Sequence, residues 1–336
     1  MTSHPRPILV LAGMLVLAVL TCPEFPATAS VFEAPTHTTG VSVAQTTYHG
    51  WPGSLLISNG LVETLVVPAV GRVMQFHFVG ESDVFWENPA LYGKAPQPEA
   101  KEWGNFGGDK TWPAPQSQWI RMIGRPWPPP ATFDSVPLQA TINGSAVELV
   151  SPVDPSFGVR FRRTIRLDPR TPEMKISTMY EKVEGGPVKV GIGVITQLTD
   201  PERVFMVLPP KSIFPNGYVK QQFDLPADLE VHGRLVSIRR AREAQIGSDA
   251  NTLVWMSRQF VLRMDSPRVP GAQYGDQDAS ATIYTSAGPL NYVELEPFGP
   301  VSTMKVGDRI ERTVTYTLSR RSRKDPLEEA QALAGR

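Results

Sequence analysis

The segment Asn291 to Pro300, NYVELEPFGP, sets Tyr292, Glu294 and Glu296 at alternate positions. In a strand these three share one face, and Val293 and Leu295 take the other. Two carboxylates so spaced lie roughly 7 Å apart, far enough to act separately and close enough for one to raise the other's pKa where water is scarce. That arrangement suits a general base beside a sugar hydroxyl, or direct hydrogen bonding to two hydroxyls. The competing expectation is a solvent-facing strand with ordinary glutamates.

A second stretch carries complementary chemistry. Trp103 to Trp119, WGNFGGDKTWPAPQSQW, holds three tryptophans, two adjacent glycines, an Asp-Lys pair and two prolines. Apolar residues recur there at neither 3.6 nor 2.0, and Gly107, Gly108, Pro113 and Pro115 break both kinds of element, so the spacing predicts an ordered loop. Indole rings cost free energy in water, so the loop should fold onto a sheet. Tryptophan near carboxylates suits carbohydrate, because the C–H face of a pyranose packs on an aromatic ring while Asp, Glu, Asn and Gln bind its hydroxyls. Trp103, Trp112 and Trp119 are the candidate platform. Core packing is the commoner fate of indole, so one or two of them are expected to face a ligand. Asp109 and Lys110 either pair with each other or supply polar contacts at the site, and spacing does not separate the two.

Other chemistries find little support. His77 shares a strand face with Gln75 and has no second histidine at ligand spacing, which argues against zinc. Asp276-Gln277-Asp278 offers a weak calcium motif that reads better as a loop cap. Asn143-Gly144-Ser145 matches a glycosylation acceptor, but its place in a hairpin already explains it. The sequence contains no phosphate-binding glycine loop, no GxSxG and no dinucleotide fingerprint. With 33 basic and 33 acidic side chains there is no broad cationic surface for nucleic acid. No metal or cofactor is expected.

These groups need a scaffold, and the rest of the chain supplies strands. Leu55 to Ile57 and Leu61 to Val67 flank Asn59-Gly60, a hairpin turn signal, and Arg72 to Val79 adds a third strand. Leu138 to Ile142 and Ala146 to Val150 repeat the device across Asn143-Gly144. Between the hairpins, the segment from Glu81 to Pro130 carries five of the seven tryptophans. Loops that long are usually functional or disordered, and the aromatic content argues for function. Beyond it, Phe161, Arg163, Ile165 and Leu167 alternate with Arg160, Arg162, Thr164 and Arg166. The basic face reads as a solvated outer surface, with an anion-binding row as the alternative. Further strands are expected at Met174 to Val183, Val188 to Leu198, Arg203 to Leu208, Leu235 to Arg239, Thr252 to Met256, Phe260 to Met264 and Ala281 to Thr285. Ile310 to Leu318 alternates most clearly and should close a sheet. No helix is long enough for an α/β crossover, so the chain is expected to be an all-β, large antiparallel sandwich.

Arg6, the apolar run Ile8 to Leu20 and Ala27-Thr28-Ala29 read as a secretory signal cleaved near Ala29. The expected location is therefore secreted or periplasmic, without stable membrane insertion after cleavage. Lipidation at Cys22 is the weaker alternative, because Leu20-Thr21 lacks the small residues such signals carry. Cys22 is the only cysteine, so the mature chain relies on its core rather than disulfides. The domain layout is a signal at 1–29, a polar lead-in at 30–53, one sandwich domain at 54–319 and a polar tail at 320–336, with a short surface helix from Pro326 to Ala334.

Taken together, the loop from Asn105 to Gln116 (NFGGDKTWPAPQ) and Tyr292 to Glu296 resemble a bacterial domain-of-unknown-function family placed with the galactose-mutarotase-like proteins. Trp86 to Pro89, Gly191 to Gln197, Gln245 to Gly247 and Gly307 extend the match over about Ser54 to Leu318. The resemblance implies a β-supersandwich whose concave face binds sugars. It also implies a late glutamate, Glu294 or Glu296, as base in ring opening at the anomeric carbon. Such epimerases pair that base with a histidine, and neither His77 nor His232 lies in a matching motif, so Lys110 stands as the other acid candidate. Asn105, Gln116, Gln197 and Tyr292 join Asp109, Lys110 and the three tryptophans as expected ligand-binding residues. The functional expectation is an exported saccharide-binding protein, with an epimerase-like enzyme and a structural envelope protein as alternatives.

Overall fold

The structure, a computed structural model, describes residues 40–81, 84–98 and 102–335. The expected signal segment, with Cys22 and Ala29, lies outside the described residues. Short alternating runs broken by turn residues make strands almost throughout. The first four are β1 (Ser42–Tyr48), β2 (Trp51–Ser58), β3 (Val62–Val67) and β4 (Arg72–Phe78). β5 (Asp109–Ala114) follows within the aromatic segment, then the short helices α1 (Trp119–Ile123) and α2 (Ala131–Asp134). Next come β6 (Gln139–Asn143), β7 (Ala146–Val150), β8 (Val159–Leu167), β9 (Glu173–Lys182) and β10 (Val188–Thr199). β11 (Arg203–Val207), β12 (Val219–Lys220), β13 (Glu230–His232), β14 (Leu235–Ile238), β15 (Ala244–Ser248), β16 (Thr252–Met256) and β17 (Phe260–Asp265) continue the chain. β18 (Ala281–Thr285), β19 (Tyr292–Pro297), β20 (Ser302–Met304), β21 (Arg309–Arg320) and helix α3 (Pro326–Ala334) complete it.

The strands form two antiparallel sheets. The first has 11 strands in the order β1-β2-β3-β4-β5-β10-β19-β18-β15-β12, with β20 paired to β10. The second has 10, in the order β13-β14-β11-β16-β17-β21-β9-β8-β7-β6. Their facing sides bury one continuous core, in which Val194, Ile283, Val293 and Leu295 meet Ile165, Ile176, Tyr316 and Leu318. Each such aliphatic side chain contributes about 1.5–3 kcal/mol on burial, so the core stabilises the sandwich without disulfides. Both hairpins form at the expected turns. At the first, Asn59 Oδ1 accepts from the backbone N–H groups of Leu61 and Val62, and Gly60 takes a φ of 82°.

Three expectations change and one holds. The Trp103 to Trp119 stretch is not loop throughout, because Asp109 to Ala114 pairs with Gly191 to Thr196 of β10. Pro113 is tolerated there because β4 pairs with β5 only at Val73 and Asp109, so no second ladder demands its missing N–H. The sheet begins ahead of Ser54, since Ser42 to Tyr48 of the lead-in pairs with β2. Arg163 sits on the buried face of β8 that alternation assigns it, with its guanidinium paired inside the core. Helix α3 forms where expected but is not simply solvated: Ala330 packs with Phe205, Val254 and Val261 on the second sheet. Among the described residues no helix is long and apolar enough to cross a membrane.

Candidate functional site

Alternation along β5 sends its two charged residues to opposite sides of the first sheet. Asp109 points between the sheets, where it pairs with Arg163 and accepts from Thr196 Oγ1 and the Tyr316 hydroxyl, both at 2.6 Å. Thr111 follows it inward to the Tyr180 hydroxyl at 2.8 Å. Lys110 and Trp112 take the other face. Cross-strand register extends that face, with Ile195 opposite Lys110, Gln197 opposite Glu294, Tyr284 opposite Glu294, Thr282 opposite Glu296 and Gln245 opposite Tyr284. Gly107 and Gly108 make the entry to β5 possible. Both have positive φ, and a Cβ would lie 2.2 Å from the Trp86 carbonyl oxygen at Gly107 and 2.6 Å from that of Val73 at Gly108.

Above this face stands an aromatic wall organised by one buried carboxylate. Asp134, at the end of α2, accepts from Trp103 Nε1 at 2.8 Å and from Trp112 Nε1 at 2.9 Å, and pairs with Arg72 at 3.0 Å. Arg72 also donates to the Gly107 carbonyl at 2.8 Å, tying the glycine turn to the wall. Trp127 packs edge-on against Trp103 and Trp112, with centroids at 4.9 and 5.7 Å. The Lys110 ammonium lies 5.0 Å from the Trp112 ring and 5.8 Å from the Trp103 ring, so both indoles stabilise its charge.

Lys110 and Glu294 form a loose buried pair. Nζ lies 3.9 Å from Oε1, and neither atom has a hydrogen-bond partner. The side-chain amides of Asn105 and Gln197 are likewise buried and make no well-aligned hydrogen bond, though both lie against the Tyr292 hydroxyl. Burial pulls the Lys110 pKa from 10.5 down to about 8, against the pull of Glu294. It raises the Glu294 pKa, an effect opposed chiefly by Lys110. Glu296 is pushed well above the usual carboxylate range by burial and then by the charge of Glu294, while Thr282 Oγ1 donates to it at 2.6 Å. Both carboxyls are thus raised by burial, and Lys110 opposes the shift more strongly at Glu294 than at Glu296.

A cleft with two adjoining chambers opens over these groups. The inner chamber, about 180 Å³, is lined by Trp103, Trp112, Trp127, Tyr284, Tyr292 and Glu294, among others. The outer, about 540 Å³, includes Trp119, Gln221, Asp276, Gln277 and Phe298. Trp112, Gln116, Gln222, Gln245 and Glu296 border both. Of the residues named from sequence, Trp103, Trp112, Gln116, Trp119, Tyr292, Glu294 and Glu296 line the cleft. Lys110, Asn105 and Gln197 lie just beneath its floor, each nearly fully buried. Asp109 is the exception: its carboxylate is consumed between the sheets, on the side of β5 away from the cleft.

Sequence reasoning passed over Trp127, Asp134, Glu243 and Tyr284, which come from stretches without a distinguishing motif, and gave Gln245, in a matched motif, no role at the site. Among the described histidines, His77 bonds the Phe78 carbonyl, His232 lies beside Glu230, and neither they nor His49 lines either chamber. Asp276 accepts from the Gln116 N–H and Asp278 from Arg268 and the Tyr274 N–H, so this acidic pair closes loops. Among the described residues no group of three or more His, Cys, Asp and Glu is placed to hold a metal.

By sequence, the chain matches no protein-family model and no curated protein. Solved structures resemble it in fold. A candidate aldose 1-epimerase from Klebsiella pneumoniae superposes with a TM-score of 0.55 at 12% identity, over 89% of this chain and 88% of that one. A galactose mutarotase-like protein from Lactobacillus casei gives 0.53 at 9%, over 80% and 100%. A candidate aldose 1-epimerase from Escherichia coli gives 0.52 at 12%, over 78% and 97%. At such identities the likeness concerns architecture. With its two antiparallel sheets and these neighbours, the chain has the galactose-mutarotase-like fold.

Proposed function

We propose that this chain is an exported protein that binds a saccharide in the two-chambered cleft. One observation carries the reading: three indoles, Trp103, Trp112 and Trp127, line one small chamber together with Tyr284, Tyr292 and Glu294. A pyranose has the matching surfaces, an apolar C–H face for the indoles and a rim of hydroxyls for the carboxylates and phenols. Lys110, one layer below and 3.9 Å from Glu294, favours the carboxylate form, which accepts hydrogen bonds. Export rests on the composition of the first 29 residues. Saturation-transfer NMR with glucose, galactose, mannose and xylose tests the reading. Transfer from at least one sugar is expected, weakened in Trp103→Ala; no transfer from any sugar or its oligomers counts against it.

A second reading, epimerase-like catalysis, is favoured by two carboxyls on one strand face, both raised by burial, with Lys110 3.9 Å from Glu294. Glu294 would take the proton of the anomeric hydroxyl while Glu296 or Lys110 returns one to the ring oxygen, breaking the ring C–O bond to give the open-chain aldehyde. The reverse sequence from the other face of the carbonyl gives the second anomer. The names of the structural neighbours agree with this chemistry. Exchange NMR of the α and β anomers separates the readings: acceleration by wild type but not by Glu294→Gln supports the enzyme, and equal rates with and without protein sink it.

A further inference from the structure

The outer chamber has no role in holding a single sugar ring at Glu294. At about 540 Å³ against about 180 Å³ it is the larger part of the cleft. The inner volume falls below the roughly 300–1,000 Å³ of pockets that enclose drug-sized ligands, whereas the outer lies within that range. The chambers share Trp112, Gln116, Gln222, Gln245 and Glu296, so a chain entering one continues into the other.

Its lining is chemically distinct. Gln221 and Gln277 add to the three shared glutamines, Trp119 and Phe298 supply aromatic surface, and Asp276 and Glu296 are the charged side chains of its lining. Glu296 is held toward its neutral form by burial and by Glu294, and the Asp276 carboxylate is engaged by the Gln116 N–H at 2.9 Å. A surface of amides, which both donate and accept, beside aromatic rings complements neutral hydroxyl groups and offers an anionic ligand no cation.

The wall is also held in place at a cost. Asp276, Gln277 and Asp278 are three consecutive non-glycine residues with φ of 40°, 65° and 61°. That region is unfavourable for side chains with a Cβ, and such strain persists where surrounding bonds over-determine it. Here Gln221 Nε2 donates to the Asp276 carbonyl at 2.8 Å, Gln277 Nε2 donates to the Lys220 carbonyl at 2.8 Å, and Arg268 holds Asp278. The strained loop is thereby pinned to the aromatic segment and to the β12 segment at once, fixing the width of the chamber.

We infer that the ligand is a neutral oligosaccharide, or the end of a polysaccharide, with one residue in the inner chamber and further residues along the glutamine-lined outer one. This rests on the saccharide reading and narrows it to a substrate class. Isothermal titration with glucose, galactose, mannose and xylose, each beside its β-1,4- and α-1,4-linked trisaccharide, provides the test. At least one trisaccharide should bind about tenfold or more tightly than its monosaccharide, the gain from one or two added hydrogen bonds and a stacked ring. Gln221→Ala and Gln277→Asn, the latter chosen because asparagine tolerates positive φ, should each narrow that ratio while melting cooperatively like wild type. A ratio near one for every sugar that binds overturns the inference and leaves the saccharide reading standing. A trisaccharide advantage unaltered in both variants also overturns it, because the added residues would then lie elsewhere. Binding of a uronic acid trimer in preference to every neutral one contradicts the neutral lining. If no sugar of any length binds, the underlying reading falls and the inference with it.

Discussion

Asp109 and Lys110 are neighbours on one strand, both buried and both charged, yet their surroundings differ completely. Asp109 faces the second sheet, where Arg163, Thr196 and Tyr316 satisfy its carboxylate. Lys110 faces the cleft, where its ammonium finds two indole rings and one carboxylate at 3.9 Å but no hydrogen bond. Native proteins rarely leave buried polar groups unpaired, and exceptions cluster at working sites. The difference makes the Asp109 side of the sheet structural and, under the proposed function, leaves the Lys110 side to ligand recognition.

The largest effect is expected where that contrast is sharpest. Asp109→Ala leaves the Arg163 guanidinium buried without its counter-charge, and urea unfolding should show a loss of about 3–5 kcal/mol. Lys110→Met nearly conserves volume and removes an ammonium that lacks hydrogen bonds, and Glu294, whose pKa burial already raises, can relieve the lost pairing by taking up a proton, so stability should stay within about 1.5 kcal/mol of wild type. Equal losses in the two variants would break the comparison. Asp134→Asn comes next, since it weakens the pairing with Arg72 and one of two indole contacts at once; about 2–3 kcal/mol is expected, with a change in tryptophan emission that reports loosening of the wall. Smaller again is Glu294→Gln, which should weaken saccharide binding by about 1.5–3 kcal/mol, the worth of a hydrogen bond to a charged acceptor, without lowering stability by as much.

The pH dependence of stability is the most specific effect. Glu296 has a pKa raised above 4.5 in the folded protein, so above pH 4.5 the folded state binds more protons than the unfolded one. Stability from this group is present at low pH and is lost as pH rises through the raised value; Glu296→Gln should flatten that part of the profile. Lys110 acts with the opposite sign. Its folded pKa of about 8 lies below the ordinary 10.5, so between those values the unfolded state binds more protons and stability rises with pH. Urea midpoints across pH 4 to 10 for wild type, Glu296→Gln and Lys110→Met separate the two contributions.

Much of the fold was readable because its signals are local. Asn59-Gly60 and Asn143-Gly144 mark their turns locally, Asn59 through its side-chain oxygen and Gly60 and Gly144 through positive φ, and the alternation in VELEP puts both glutamates on one face whatever else the chain does. β5 was not readable, because its strand character comes from pairing with Gly191 to Thr196, distant in sequence, and Pro113 with the flanking Gly107, Gly108 and Pro115 argues for a loop. The opposite fates of Asp109 and Lys110 follow from that strand and were hidden with it. Trp127 and Asp134 come from a proline-rich stretch without period, and only the folded chain brings their side chains to Trp103 and Trp112. The glutamines of the outer chamber are scattered over four segments, where nothing in sequence marks them as neighbours.

Thermal melting of wild type and Glu294→Gln with and without saturating saccharide tests the central claim most directly. A ligand that binds only the folded state raises Tm by mass action. The account predicts a sugar-dependent rise in wild type that shrinks or vanishes in Glu294→Gln, whose Tm without sugar stays close to wild type. No rise with any monosaccharide or oligosaccharide, or an equal rise in both proteins, would contradict it.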